Sequence, residues 1–306
     1  MAIDQSKKKS RTAKALLLLL VLIAVFAVGG ALLSLLTEDS DSVVGSWFSS
    51  GNKIGVVELE GTITSSDKIL EQLKKFRKKK SVKAIVLRIN SPGGAVAPAQ
   101  EIYREIGKVR KKKPVVASIE SVGASAAYYI ASNCDRIVCS PGSITGSIGV
   151  IMILAEAHKL INRFQVDINV IKAGKFKDMG SVIRPLTEEE RKILESFAKE
   201  IHEQFIADVA KGRKGKIDIE KLRKVANGSF FTGAKAKKLG LVDTMGNFYD
   251  AVKIAGKLGG IVGEPELVYS KKKWETYLEY FFGSLSRALL KAADRVRIMQ
   301  PAPAIR

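Results

Sequence analysis

Histidine, cysteine and aromatic residues are scarce in this chain, and each scarcity excludes something. Of 306 residues, two are histidine and two are cysteine. His158 and His202 lie far from each other and from both thiols, so no ligand set with a recognisable zinc spacing exists, and neither a metal nor another cofactor is expected. Cys134 and Cys139 are five apart, across a helix end and a following strand. An odd separation puts side chains on opposite strand faces, so buried thiols are expected rather than a disulfide. Aromatic residues make up 7 % of the chain. None interleaves the basic runs, as a single-strand nucleic-acid binder requires. After residue 36 no apolar run reaches the eighteen residues of a membrane span.

What is abundant is positive charge, a formal net charge of +20. It is spread over short runs such as Lys74 to Lys80, Lys108 to Lys113 and Lys235 to Lys238. Most of these close amphipathic helical patterns, where cations complement the helix dipole. Solvated helix ends therefore explain the charge better than a nucleic-acid surface does.

The amino terminus carries the long apolar run. Lys7, Lys8, Lys9, Arg11 and Lys14 precede an uncharged stretch from Ala15 to Leu36. At helical rise it spans about 33 Å, enough for a hydrocarbon core of about 30 Å. It is longer than the apolar segment of a cleaved signal sequence, and no clear cleavage site follows. The expected organisation is a cytoplasmic basic segment (1–14), a retained transmembrane helix (15–36), a linker (37–52), a globular domain (53–262), and a carboxyl-terminal amphipathic helix and tail (263–306). The basic flank keeps the amino terminus in the cytoplasm and the remainder outside it, with the bilayer as a partner.

Within the globular part, apolar runs alternate with helical patterns. Strands are predicted at Ile54–Ile63, Ala84–Ile89, Val115–Ile119, Arg136–Cys139 and Ile168–Ile171, with helices near 97–111 and 125–132. The fold class is therefore α/β with a mainly parallel sheet. Thr187 and Glu190 form a capping box at the head of a long helix. Leu194, Phe197, Ile201, Phe205 and Val209 then recur at helical spacing, predicting one inward face.

Three local features bear on chemistry. Ser91-Pro-Gly-Gly94 follows an apolar strand, and its glycines either make a plain turn or turn backbone N–H groups towards a substrate. Ser125, in SVGASAAYYI, opens a helix either as an ordinary cap or as a nucleophile beside the amide of Ala126. Lys172, Lys175 and Lys177 cluster in VIKAGKFKDMGS. They are exposed loop lysines unless one is neutral, which requires pulling its pKa down from about 10.4 by desolvation or like charge.

From about Lys53 to Val252 the chain resembles the signal peptide peptidase A family in its short, single-anchor form. The matching pieces are SPGG (91–94), the stretch around Ser125, TGSIGV (145–150), GKFKD with Lys177, the TEEER helix start and KKLGLVD (237–243). The resemblance implies the Clp protease/crotonase fold, a spiral of strand–strand–helix units, and a serine endopeptidase acting on apolar peptides such as released signal peptides. It further implies Ser125 as nucleophile, Lys177 as general base, Ser147 as the group orienting the amine, and Gly93 or Gly94 with Ala126 as oxyanion hole. A homo-oligomeric ring is implied as well. Ala126 and Ala127 depart from the family's two glycines after the nucleophile. Other readings are a stomatin-associated NfeD-type protease, acyl-CoA chemistry on the crotonase fold, and a non-catalytic membrane scaffold. The first lacks its extra spans here, and the second leaves Lys177 without a role.

Overall fold

The computed structural model describes residues 52–270. The basic segment, the apolar run 15–36, nearly all of the linker and the helical stripe from Tyr277 onward lie outside the described residues. Among the described residues no helix is long and apolar enough to cross a membrane.

The chain begins with β1 (Lys53–Glu60), α1 (Asp67–Lys78), β2 (Val82–Ser91), α2 (Val96–Arg110), β3 (Val115–Ala124) and α3 (Ala126–Ser132). β4 (Arg136–Cys139), β5 (Ile144–Gly146) and α4 (His158–Arg163) follow, then α5 (Glu188–Gly212), α6 (Ile219–Val225), β6 (Phe230–Thr232), α7 (Gly233–Lys238), β7 (Thr244–Met245), α8 (Phe248–Leu258) and β8 (Glu266–Tyr269). β2 reads VKAIVLRINS and is buried at most positions on both faces, the signature of a central parallel strand. α2 buries Ala99, Ile102, Tyr103, Ile106 and Val109, one stripe at three- and four-residue spacing.

The strands form one sheet in the order β6-β5-β3-β2-β1-β8, with β4 joining β3 to β7. All pairings are parallel except β5 with β6. β8 pairs with β1, so the sheet takes in part of the span read from sequence as tail. α8 covers one face, where Ala251, Val252 and Ala255 meet Ile54, Val86 and Val116. The other face packs Leu73, Phe76, Ile102 and Ile106 against Ile85, Leu87 and Ile119. Basic residues close α1, α2 and α7, as the charge pattern predicts. Cys134 and Cys139 are free and buried; burial pushes both thiols up, that of Cys139 to about 11.

β3 divides the sheet in a way that matters for the site. Its first half pairs with β4 through Val116 to Ile119, and its second half with β5 through Val122 to Ala124. The strand therefore ends beside Gly146, with Ser125 next in the chain.

Two expectations fail. Ile168–Ile171 forms no strand; Ile171 is fully exposed, and among the described residues the segment has no strand neighbour to take up its backbone groups. In α5 only Phe205, Ile206 and Val209 of the apolar positions are buried. Phe197 is 54 % exposed, so the inward face predicted for the whole helix holds only for its carboxyl-terminal half. Among the described residues no buried apolar partner meets the first half of the stripe.

Candidate active site

Ser125 sits in the sharp turn between β3 and α3 with φ 52° and ψ −125°. Such a conformation in a non-glycine residue costs on the order of 1–3 kcal/mol and persists only where the surroundings enforce it. The enforcement is visible: the Ser125 N–H donates to the Gly146 carbonyl at 2.9 Å, and its own carbonyl accepts from Tyr129 N–H at 2.9 Å. Its hydroxyl makes no capping hydrogen bond, so the ordinary-cap reading of this serine does not apply. Ala126 and Ala127 are buried with their methyls in the core cluster. Helical backbone accommodates them without glycine, which is how the chain tolerates its departure from the usual residues.

SPGG crosses directly in front of this turn. The Ser91 hydroxyl accepts from Gly93 N–H at 3.2 Å. Gly93, at φ 113°, approaches so closely that a methyl there would lie 2.8 Å from Ser125 Cβ and 3.0 Å from the Ala126 nitrogen. Gly94 is clamped by Ile63, whose N–H donates to Gly93 O at 2.9 Å while its carbonyl accepts from Ala95 N–H at 2.7 Å. The N–H groups of Gly94 and Ala126 have no acceptor among the described residues. Two unspent donors thus flank the serine, and α3 adds its dipole to one of them.

Ser147 follows Gly146, and its N–H is held by Ser229 O at 2.8 Å. At φ 51° it repeats the unusual backbone of Ser125. Both serines, with Gly93, Gly94 and Ala126, line one cavity of about 670 Å³. Its walls are largely apolar, from Val96, Ile151, Ile201 and Phe205, with His202 and Asn227 among the polar contributors. Tyr129 fixes α5 as a wall: its hydroxyl donates to the Asp208 carboxylate, and its ring packs on Tyr103 and Phe205 with centroids 4.9 and 5.0 Å away. Burial, followed by the hydrogen bond to Asp208, pushes the Tyr129 phenol far up, so it stays protonated.

Lys177 is not among the residues lining this cavity. Its side chain is exposed in a succession of turns, where its N–H donates to Gly174 O at 3.2 Å. The serines, the glycines and Ala126 therefore come together within the chain, and Lys177 does not join them there. Lys172 and Lys175 are occupied by Asp178 and Glu189. Sequence reasoning passed over the Asn227-Gly228-Ser229 turn, which clasps the 146–149 segment through Gly228 N–H to Ile148 O at 3.0 Å and the Ser147–Ser229 bond. Its Asn-Gly pair was the available signal.

Comparison with known proteins supplies the family. The pattern of peptidase family S49 matches residues 107–261. A Synechocystis sp. protein whose name describes a protease is 40 % identical over 215 residues, covering 70 % of this chain and 76 % of that protein. An Enterococcus faecium protein named for signal peptide peptidase SppA is 35 % identical over 184 residues, 60 % of this chain and 53 % of its own length. The chloroplastic serine protease SPPA of Arabidopsis thaliana is 31 % identical over 208 residues, 68 % of this chain and 30 % of its own. A strained serine beside two free amides is thus met by relatives that carry protease names across more than half of the sequence: the chain belongs to peptidase family S49 and is a serine peptidase of the SppA type.

Proposed function

We propose that this serine peptidase is a membrane-anchored endopeptidase that cleaves apolar peptides, signal-peptide remnants among them, with a Ser125–Lys177 dyad on a Clp protease/crotonase-like fold. The observation that carries the reading is Ser125 itself, held in a strained turn at a largely apolar cavity with the free Gly94 and Ala126 amides beside it. In the proposed mechanism neutral Lys177 takes the Ser125 proton as the hydroxyl oxygen attacks the peptide carbonyl. Ser147 orients the amine. The tetrahedral oxyanion is held by the Gly94 and Ala126 amides, with Gly93 keeping the space open; losing one such donor typically costs about 2.7–4 kcal/mol of barrier. The lysine ammonium then protonates the leaving amine, and water repeats the sequence on the acyl-enzyme.

A lysine works as a base only when desolvation or like charge lowers its pKa, and in the single chain Lys177 is exposed. Assembly of several copies supplies the missing burial. The segment bearing Lys177 holds Ile153 at 86 % exposure, Ile171 at 100 % and Phe164 at 70 %, surface that a neighbouring copy covers and that water does not favour. In that assembly a Lys177 amine meets each Ser125. The apolar run 15–36 anchors the ring at the outer face of the membrane, where released apolar peptides are found. No metal, cofactor or nucleic acid takes part in this scheme.

The test uses the full chain in detergent micelles with apolar fluorogenic peptides, comparing wild type with Ser125→Ala and Lys177→Ala. Both variants are expected to keep the fold and lose turnover. Unchanged turnover in Lys177→Ala removes the dyad, and hydrolysis surviving in Ser125→Ala moves the nucleophile elsewhere.

A further inference from the structure

The turn carrying Lys177 is gripped by charge from both ends. Arg184 reaches its neighbour Asp178 with a two-pronged bond, Nε to Oδ2 at 2.9 Å and Nη2 to Oδ1 at 2.9 Å. The same Nη2 donates to the Asp178 carbonyl at 3.3 Å. Lys172 pairs with Asp178 Oδ1 and donates to the Lys175 carbonyl at 3.1 Å. The outer edge of the guanidinium is also taken. Nη1 donates to Glu190 Oε2 at 2.9 Å, and Nη2 donates to Glu190 Oε1.

Glu190 is a fixed point. It is 2 % exposed and closes the capping box of α5, accepting from Thr187 N–H at 3.0 Å while its own N–H donates to Thr187 Oγ1 at 3.2 Å. From there α5 continues to Ile201, His202 and Phe205, which wall the Ser125 cavity. One helix therefore holds the Lys177 turn at its head and the substrate cavity further along.

The charged groups of the segment that carries Lys177, with those they bind, are Lys172, Lys175, Asp178 and Arg184, and Glu189 and Glu190 of α5. Every carboxylate in this set is claimed by another cation. Arg184 and Lys172 hold Asp178, Arg184 holds Glu190, and Lys175 holds Glu189 at 2.5 Å. Lys177 makes no ion pair among the described residues. An unclaimed carboxylate next to it would favour the ammonium, which has no lone pair to accept the serine proton.

We propose that Arg184 is a positioning residue for the general base: by gripping Asp178 on one side and Glu190 on the other, it fixes the Lys177 turn to the helix that walls the substrate cavity and keeps the neighbouring carboxylate from claiming the amine. The inference rests on the reading of Lys177 as the base. The hydrogen bond to Arg184, then that to Lys172, holds the Asp178 carboxyl well below the ordinary carboxylate range. Arg184, followed by the Thr187 amide, holds Glu190 down at about 2. All three groups of the grip thus stay charged wherever the enzyme works.

The experiment is the pH profile of kcat/KM for the full chain, whose acid limb reports the free enzyme's base. Arg184→Leu is expected to move that limb up by about one pH unit, because Asp178 is released to pair with Lys177. Arg184→Lys keeps the charge but loses the planar fork, so its shift is smaller. Adding Asp178→Asn to Arg184→Leu returns the limb to its wild-type place. Asp178→Asn alone moves it down, since Lys172 and Arg184 lose their counter-charge. This variant decides the matter should Arg184→Leu melt before assay. An unmoved limb in Arg184→Leu, an upward shift that Asp178→Asn does not reverse, or an upward or absent shift in Asp178→Asn alone overturns the proposal. Lys177→Ala separates the two levels: if it is inactive and Arg184→Leu keeps the wild-type limb, only the role of Arg184 falls. If Lys177→Ala retains turnover, the dyad falls and takes this role with it.

Discussion

A single methyl at Gly93 tests the site most directly. The position has φ 113°, where side chains are strained by about 1–3 kcal/mol. A Cβ placed there meets Ser125 Cβ at 2.8 Å, the Ala124 carbonyl at 3.0 Å and the Ala126 nitrogen at 3.0 Å. None of these is the end of a flexible side chain, so the loop or the serine must move. Either movement separates Ser125 from a donor or puts the methyl where the oxyanion forms. Gly93→Ala should therefore lose about 10²–10³ in kcat, the loss typical of one oxyanion donor. KM should change little, because the lost contact belongs to the transition state. The strain should lower Tm by about 2–4 °C per kcal/mol for a domain of this size. Steady-state kinetics on an apolar fluorogenic peptide well below Tm separates the two effects. Gly215→Ala is the control: it also has positive φ, at 76°, but nothing lies within 4 Å of its Cβ, so it loses some stability and keeps kcat. A Gly93→Ala enzyme with wild-type kcat would refute the placement of the oxyanion at this turn.

Four further outcomes follow from packing and charge. Arg213 is fully buried and donates to Asp243 and to the Gly240 carbonyl; among the described residues Arg213→Leu leaves Asp243 with Lys216 as its only cation and the Ile137 N–H as its only other donor, and urea unfolding should show a loss of about 3–5 kcal/mol. Because the folded Glu190 carboxyl is held at about 2 against an ordinary 4.5, its stabilising contribution is complete above about 4.5 and fades as pH falls towards 2. Melting curves across that window should lose part of their slope in Glu190→Gln. Phe205→Ala, inside the core, should cost about 3–5 kcal/mol. Phe197→Ala, on the exposed half of the same helix, should leave the stability of the single chain nearly unchanged and weaken self-association by sedimentation.

How much of this could be read from the residues depends on what each one interacts with. The strands around β2 and β3 were legible because their apolar runs are continuous and bounded by turns, and the capping box of α5 because both partners lie within four residues. The pieces around Ser125 read locally as a turn or a cap as readily as a site; family resemblance joined them, and the structure brings the serines, the glycines and Ala126 to one cavity. Ile168–Ile171 misled because an apolar run predicts burial without saying by what, and no strand among the described residues pairs with it. The carboxyl-terminal span gave up β8 because a four-residue strand against β1 carries too little pattern to be seen in isolation.

Lys177 marks the boundary between these cases. A serine becomes strained by neighbours in its own chain, so the sharp turn at Ser125 follows from a strand end in the sequence and stands at φ 52° in the structure. An amine becomes neutral only by exclusion of water and by the charges that surround it, and neither belongs to the lysine's own few residues. Arg184 makes the point from the opposite side: it looks like one more surface cation in a chain with an excess of them. Its significance lies in the two carboxylates it joins, six residues away on either side. Family resemblance points to Lys177 as the proposed base. The conditions such a base requires depend on the charges that hold its turn and on whether its surface is covered, which is why Arg184 and the exposed apolar face, rather than Lys177 alone, are the places to perturb.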